Sequence, residues 1–248
     1  MKLTLRILIF SLVVALFPAT AIGQEDNNWD FDLAPLYLWA ISIDGDTGIR
    51  GQTASTEIDF SDIWDNLEGV FTLRLIATYQ QKFGLLLDYN YLDLGKETQE
   101  GPVDLDVGFK SQILNLAGTY RILDGRHTLD GVAGIRYTSL ELDVNLRTLG
   151  ARLNGDQDWV DPIVGARYSY KMTDQWTLRL YGDIGGFGAG SDFTWQGLGL
   201  IDFQPWRNVA IVAGYRAIGT DYESGSGADK FTYDAVVHGP LIGLDIRF

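Results

Sequence analysis

Ten charged side chains have the type and spacing to act as one constellation. Arg136, Arg167, Arg179, Arg216 and Arg247 each interrupt a run of alternating apolar residues, and Asp88, Asp130, Asp183, Asp202 and Asp245 interrupt similar runs. With a side-chain period of two, such residues point away from their apolar neighbours, toward one shared face. If that face is enclosed its charges must be paired, because removing one member of a buried pair costs about 3–5 kcal/mol. The expected outcomes are an interior locked by salt bridges, or a charged constriction that selects solutes as rings of charge do in channels. A narrow enclosure, which side chains can fill, favours the first.

Catalytic chemistry is poorly supplied. The chain has no cysteine, so thiolate nucleophiles, thiolate metal sites and disulfides are excluded. There are two histidines, and hydrolytic sites generally combine a histidine with a serine or carboxylates. His127 opens a strand at a turn. His238 lies four residues after Asp234, with Ser224 and Ser226 in the loop before it, and no His-x-Ser pattern occurs. Gly182–Gly190 is glycine-rich, yet it lacks the lysine and following helix that phosphate binding requires. Acidic residues gather in the longer links, among them Asp44, Asp46, Glu57, Asp59, Asp62, Asp65, Asp221, Glu223 and Asp229. They read as a solvated face; no EF-hand spacing is present, and no cofactor or metal site is expected. A net charge of −14 argues against nucleic acid, whose binding needs lysines and arginines against phosphate.

The elements that must position the charges are strands. Period-two alternation predicts about ten: Asp30–Ile43, Val70–Gln80, Phe83–Lys96, Val103–Arg121, His127–Leu146, Asp158–Lys171, Trp176–Gly188, Asp192–Gln204, Asn208–Tyr222 and Phe231–Phe248. In the first, Phe31, Leu33, Tyr37, Trp39 and Ile41 are expected on one face. Many runs exceed the roughly 9–11 residues a tilted strand needs to cross a membrane. Charges on a lipid face at mid-membrane would cost about 2–4 kcal/mol each for Arg or Lys, so the arginine face must be the lumen. In His127–Leu146 the apolar set moves from odd positions (Leu129, Ile135, Tyr137) to even ones (Leu140, Leu142, Val144, Leu146), which suggests a bulge near Ser139.

Short turns at 80–82, 123–126, 172–175 and 205–208 alternate with longer links at 44–69, 97–102, 147–157 and 223–230, with 188–191 a tight exception. Within 44–69, Ile49–Phe60 reads as a further strand or hairpin, and Ser61–Leu67 as one or two helical turns capped by Ser61. Pairing of Ile49–Phe60 into the wall would raise the count to twelve; eight is the lower alternative. Gly131, Gly134, Gly182, Gly185, Gly197, Gly199 and Gly243 interrupt strands, where glycine permits curvature or close backbone approach. Trp159, Trp176, Trp195, Trp206, Tyr168 and Tyr170 fall near strand ends, as interfacial aromatic girdles do. Pro35 and Pro240 sit on the first and last strands and each removes a ladder donor, so the closing seam is expected to be under-bonded or bulged.

The two ends of the chain say where it goes. Lys2, Arg6, the apolar run Ile7–Phe17 and the sites Ala19-Thr20-Ala21 and Ala21-Ile22-Gly23 form a signal-peptide pattern, with cleavage expected after Gly23. The run is too short for the ~20 residues of a transmembrane helix. The mature chain, 24–248, keeps about 225 residues, a size that one barrel domain accommodates. At the other end Ile242, Leu244, Ile246 and Phe248 form an apolar file, interleaved with Gly243, Asp245 and Arg247. That C-terminal strand, ending in an aromatic residue, resembles the terminal strand of Gram-negative outer-membrane β-barrels.

The resemblance is to the small barrels of the OmpA-like and OmpW-like grouping, without a periplasmic domain after the barrel, and it covers the whole mature chain. It implies an all-β antiparallel transmembrane barrel in the cell outer membrane, with short periplasmic turns and longer extracellular loops. It also implies that Ile242, Leu244, Ile246 and Phe248 are the signal read by the barrel-insertion machinery. Outer-membrane lipid and lipopolysaccharide are the expected surroundings, and the protein is expected to be a monomer. The leading expectation is a structural or narrow-pore, small-solute role; the alternatives are a surface-loop binding or adhesion module and, third, an outer-membrane hydrolase.

Overall fold

The computed structural model describes residues 28–49, 52–100, 103–146 and 151–248. The expected signal peptide, 1–23, lies outside them. The strands are β1 (Trp29–Ala34), β2 (Tyr37–Trp39), β3 (Ser42–Ile49), β4 (Gln52–Ile58), β5 (Leu67–Tyr79), β6 (Phe83–Glu100), β7 (Val103–Leu123), β8 (His127–Leu146), β9 (Ala151–Lys171), β10 (Trp176–Gly186), β11 (Phe193–Phe203), β12 (Val209–Ser224) and β13 (Phe231–Arg247). One helix, α1 (Phe60–Asp65), precedes β5.

All ladders are antiparallel, and β5 to β13 pair in chain order. The sheet closes because β1 pairs on one side with β5, Asp32 opposite Ile76, and on the other with β13, Asp32 opposite Arg247. β1, β2 and β3 run end to end along β13 and together make one wall strand, so the barrel has ten. β4 pairs with β3 alone as a hairpin flap, and the wall does not grow to twelve. The helix forms where expected, but Asp59 holds its N-cap position without a side-chain bond; Ser61 lies inside the first turn.

Residues paired directly across a ladder share a face, which fixes inside and outside. Leu85, Leu116, Ile135, Val164, Leu180, Ile184, Tyr215, Ile242 and Leu244 point outward and are exposed, forming an apolar exterior. Below them, at the end carrying the short turns, cross-strand aromatic pairs ring the barrel: Trp29–Tyr79 with centroids 4.9 Å apart, Phe83–Tyr120 at 5.4 Å, His127–Tyr170 at 4.5 Å, Trp176–Phe203 at 4.6 Å and Phe31–Phe248 at 5.5 Å. This is the girdle that a membrane interface selects. Trp159 does not join it; it is buried in the lumen, stacked on Tyr222 at 3.9 Å.

Two parity expectations fail for physical reasons. Phe31 and Leu33 face outward while Tyr37, Trp39 and Ile41 face inward, because the chain slips by one residue at Pro35–Leu36. No bulge occurs near Ser139: the β8 ladders run unbroken through it, and even positions face inward along the strand. The apolar set changes face there because the lumen itself turns apolar above mid-barrel, where Leu140 is buried. Of the strand glycines, Gly134 lies against the Leu116 carbonyl and Ala117, Gly185 against the Pro162 carbonyl, and Gly243 against Tyr37; Gly131, Gly182, Gly197 and Gly199 have room for a side chain.

Candidate functional site

The inward positions stack in three layers. At the short-turn end, Arg179 reaches Asp202 at 2.5 Å, Asp245 at 2.8 Å and Asp32 at 3.6 Å. Arg247 meets the same three carboxylates, Asp202 at 2.6 Å, Asp245 at 3.1 Å and Asp32 at 3.2 Å. Across the lumen Asp130 accepts from Arg167 at 2.6 Å and from Arg121. Beneath this layer a vestibule of about 330 Å³, lined by Asp30, Asp32, Arg121, Arg167, Arg179 and Arg247 among others, opens toward the short turns.

The middle layer is sealed. Arg136 donates to both Asp183 oxygens at 2.9 Å, to Asn115 Oδ1 at 2.8 Å and to Thr194 Oγ1 at 2.8 Å. Arg216 holds Asp88 at 2.9 Å, Tyr37 Oη at 2.8 Å and Gln196 Oε1 at 2.8 Å, with its guanidinium 4.9 Å from the Trp39 ring centroid. Arg74 donates to Asp88 from its own ladder partner position, Nε to Oδ2 at 2.7 Å. Arg136 and Arg216 are both 0% exposed. The Asp88–Arg216 contact joins β6 to β12 across the lumen, and Arg136–Asp183 reaches over β9 to join β8 to β10, so neither follows a ladder of the wall. Burial of that kind is tolerated because each guanidinium has several acceptors of good geometry.

Above lies an apolar layer of Trp39, Ile41, Ile43, Ile63, Leu92, Ile113, Leu140, Ile218, the Trp159–Tyr222 stack and Phe231. Helix α1 contributes Ile63 to it and leaves Phe60 and Trp64 exposed on its outer side.

All ten residues singled out by parity line the lumen, and the structure joins them into these clusters. Sequence reading missed Arg74, Arg121 and Asp32. Arg74 was detectable, since it falls between Thr72 and Ile76 on the inward parity of β5, opposite Asp88. Asp32 was hidden by the slip at Pro35. Ile242, Leu244, Ile246 and Phe248 all lie on the outward parity of β13.

The histidines lie on the exterior. His127 shares its Nδ1 with the Tyr168 hydroxyl at 2.7 Å. His238 touches Tyr215 Oη through Nδ1 at 2.6 Å and Asp44 Oδ2 through Nε2 at 2.5 Å, not Asp234. The chain Tyr215–His238–Asp44 ties β12, β13 and β3 together at the upper rim of the apolar exterior. Among the described residues no group of three metal-ligating side chains comes together.

A closed antiparallel wall with an apolar outside and a charged inside has solved counterparts. The outer-membrane protease OmpT from Escherichia coli is similar with a TM-score of 0.56 at 7% identity, over 92% of this chain and 99% of that one. By fold, this chain is an outer-membrane β-barrel. Other similar structures are Ail, the attachment invasion locus protein of Yersinia pestis, in complex with a heparin analogue (TM-score 0.39, 14% identity, 89% of this chain and 97% of that), and the outer membrane protein OprG from Pseudomonas aeruginosa (0.37, 16%, 90% and 97%). The fold assignment rests on the protease; at such identities none of the three passes on a role. No family model and no curated protein sequence matches the chain.

Proposed function

We propose that the protein is a closed structural barrel of the outer membrane, held shut by its own lumen, that carries acidic extracellular hairpins and has no catalytic role. The observation behind this reading is the complete burial of Arg136 and Arg216 at mid-lumen, beneath an apolar layer. A selective pore needs its charges in contact with water, so that ions bind and leave. Here the charges are spent on one another and on Asn115, Thr194, Tyr37 and Gln196.

Outer-membrane lipid solvates the apolar exterior in this reading. The C-terminal file Ile242, Leu244, Ile246 and Phe248 serves as the insertion signal, and the barrel works as a monomer. Lipopolysaccharide surrounds the upper rim, where its phosphates meet carboxylates such as Asp44 and Asp234 only through bridging cations. Liposome swelling with small sugars tests the closed lumen: vesicles carrying the folded protein are expected to swell no faster than empty ones. Rapid swelling would restore the narrow-pore role.

A further inference from the structure

Between the short-turn layer and the sealed middle layer lies a second, smaller cavity of about 30 Å³. Arg167 and Arg179 line both it and the vestibule, so the vestibule leads to it. Arg74, Asp88, Asn115 and Gln196 line it from the middle layer, and Leu198 and Leu200 are apolar parts of its wall. One water takes about 10–15 Å³ of such space, so the cavity suits one or two water-sized bodies.

Its polar lining is rich in donors. Asn115 is 1% exposed, and its Oδ1 accepts from Arg136 Nε at 2.8 Å. That bond fixes the orientation of the amide and leaves Nδ2 buried with no hydrogen-bond partner among the described residues. Gln196 likewise accepts through Oε1, from Arg216 at 2.8 Å, so the end of its amide left over is the Nε2 donor. Arg74 holds Asp88 through Nε and Nη2, Arg167 holds Asp130 through Nε and Nη2, and Arg179 holds Asp202 and Asp245 through Nη2. None of these three makes a hydrogen bond through Nη1 among the described residues; Arg179 Nη1 lies 3.6 Å from Asp32, too far for one.

Acceptors are scarce. Asp88 is the one carboxylate of the lining, and its oxygens are taken, Oδ1 by Arg216 at 2.9 Å and Asn90 at 2.7 Å and Oδ2 by Arg74. One negative charge thus serves two guanidiniums and leaves a positive excess beside the cavity. The Tyr181 hydroxyl, which can turn a lone pair or its proton inward, is the exception. A water in such a lining accepts readily and finds little to accept its own hydrogens. An anion accepts from every side and offsets the excess charge.

We infer that this cavity binds one small inorganic anion, of the size and charge of chloride, which enters from the vestibule and stops beneath the Arg136 and Arg216 layer. Asn115, Gln196 and Arg74 hold it from the middle layer, and Arg167 and Arg179 from the short-turn side. Organic acids and phosphate esters are too large for the space. The site lies on the vestibule side of the seal, so it stands whether or not the lumen conducts.

The test soaks detergent-grown crystals of the mature protein in sodium bromide and locates bromide by anomalous scattering. A peak within hydrogen-bond distance of Asn115 Nδ2 and of a guanidinium lining the cavity is expected. In parallel, urea titrations in micelles compare sodium chloride with sodium gluconate, whose anion is too large to enter, at equal concentration. Chloride at ten times its dissociation constant is expected to raise the folding equilibrium constant about elevenfold. Asn115→Asp keeps an oxygen for Arg136 and sets its own anionic oxygen where Nδ2 stands. In that variant both the bromide peak and the difference between the salts are expected to vanish. A wild-type cavity without a bromide peak, or equal wild-type stability in the two salts, would overturn the inference. So would a chloride dependence that persists in folded N115D. Should N115D fail to fold, the wild-type bromide map decides.

Discussion

Arg136→Met removes the only salt-bridge partner that Asp183 has among the described residues, and both side chains are buried. The mutant leaves a carboxylate in a sealed layer with no counter-charge, and Asn115 Oδ1 loses the donor it now has. Breaking a buried pair in this way costs about 3–5 kcal/mol, roughly two to four orders of magnitude in the folding equilibrium. Arg167→Met is the internal control. Its partner Asp130 keeps Arg121, so the loss is closer to the worth of charge-assisted hydrogen bonds, about 1.5–3 kcal/mol, and falls at the lower end because Arg167 is partly exposed. A double variant, Arg136→Met with Asp183→Leu, removes both charges and should recover most of the loss, since apolar replacement of a whole buried pair is often neutral or better. Urea titration of the protein folded in phospholipid vesicles, followed by tryptophan fluorescence and linear extrapolation, reads all three. Equal costs for R136M and R167M, or a double variant as unstable as R136M, would refute the reasoning.

Further outcomes follow from other parts of the wall. Gly134→Ala places a methyl against the Leu116 carbonyl and should impair folding, whereas Gly197→Ala has space and should be silent in a heat-modifiability assay. The β1–β5 ladder ends at Ala34–Arg74 and none joins β2 or β3 to β5, so alternate amides of 68–73 should exchange with deuterium faster than those of β7 and β8; uniform protection would contradict an unpaired edge. Above the apolar band, Asp46, Asp234 and Asp221 lie side by side across three strands, and like charges directly opposite are destabilising. The Asp221 carboxyl is raised above the ordinary range by partial burial and then by Asp234, Asp192 and Glu223. Its folded state therefore holds a proton that the unfolded state has lost, so stability falls as pH rises from the ordinary carboxylate value through the raised one. Asp234→Asn should flatten that slope in pH-dependent melting, and an unchanged slope would count against the row.

Much of the fold was legible because an outer-membrane wall repeats one problem. Alternation located every wall strand, and the short turns fell at one end because the strands are long and their number even. The inward arginines were legible for the same reason, since lipid does not tolerate them. What parity could not show is the chemistry of an interior that changes with height. The even positions of β8 after Ser139 read as lipid-facing, yet they face a lumen that has become apolar; grease against lipid and grease against a core look alike in sequence. The slip at Pro35–Leu36 was signalled by the proline but not its consequence, which exchanged the faces of Phe31 and Tyr37 and hid Asp32. The loss of ladder bonds falls on the far side of the first strand, toward β5, where no proline marks it. The pairs between non-adjacent strands, Asp88–Arg216 and Arg136–Asp183, were out of reach, because they depend on barrel diameter and stagger rather than on any local pattern.

Single-channel recording in planar bilayers tests most directly whether the lumen is shut. Folded wild-type protein inserted under an applied potential is expected to give no discrete conductance steps. Steps of uniform size, altered by neutralising Arg136 or Arg216, would contradict the closed barrel.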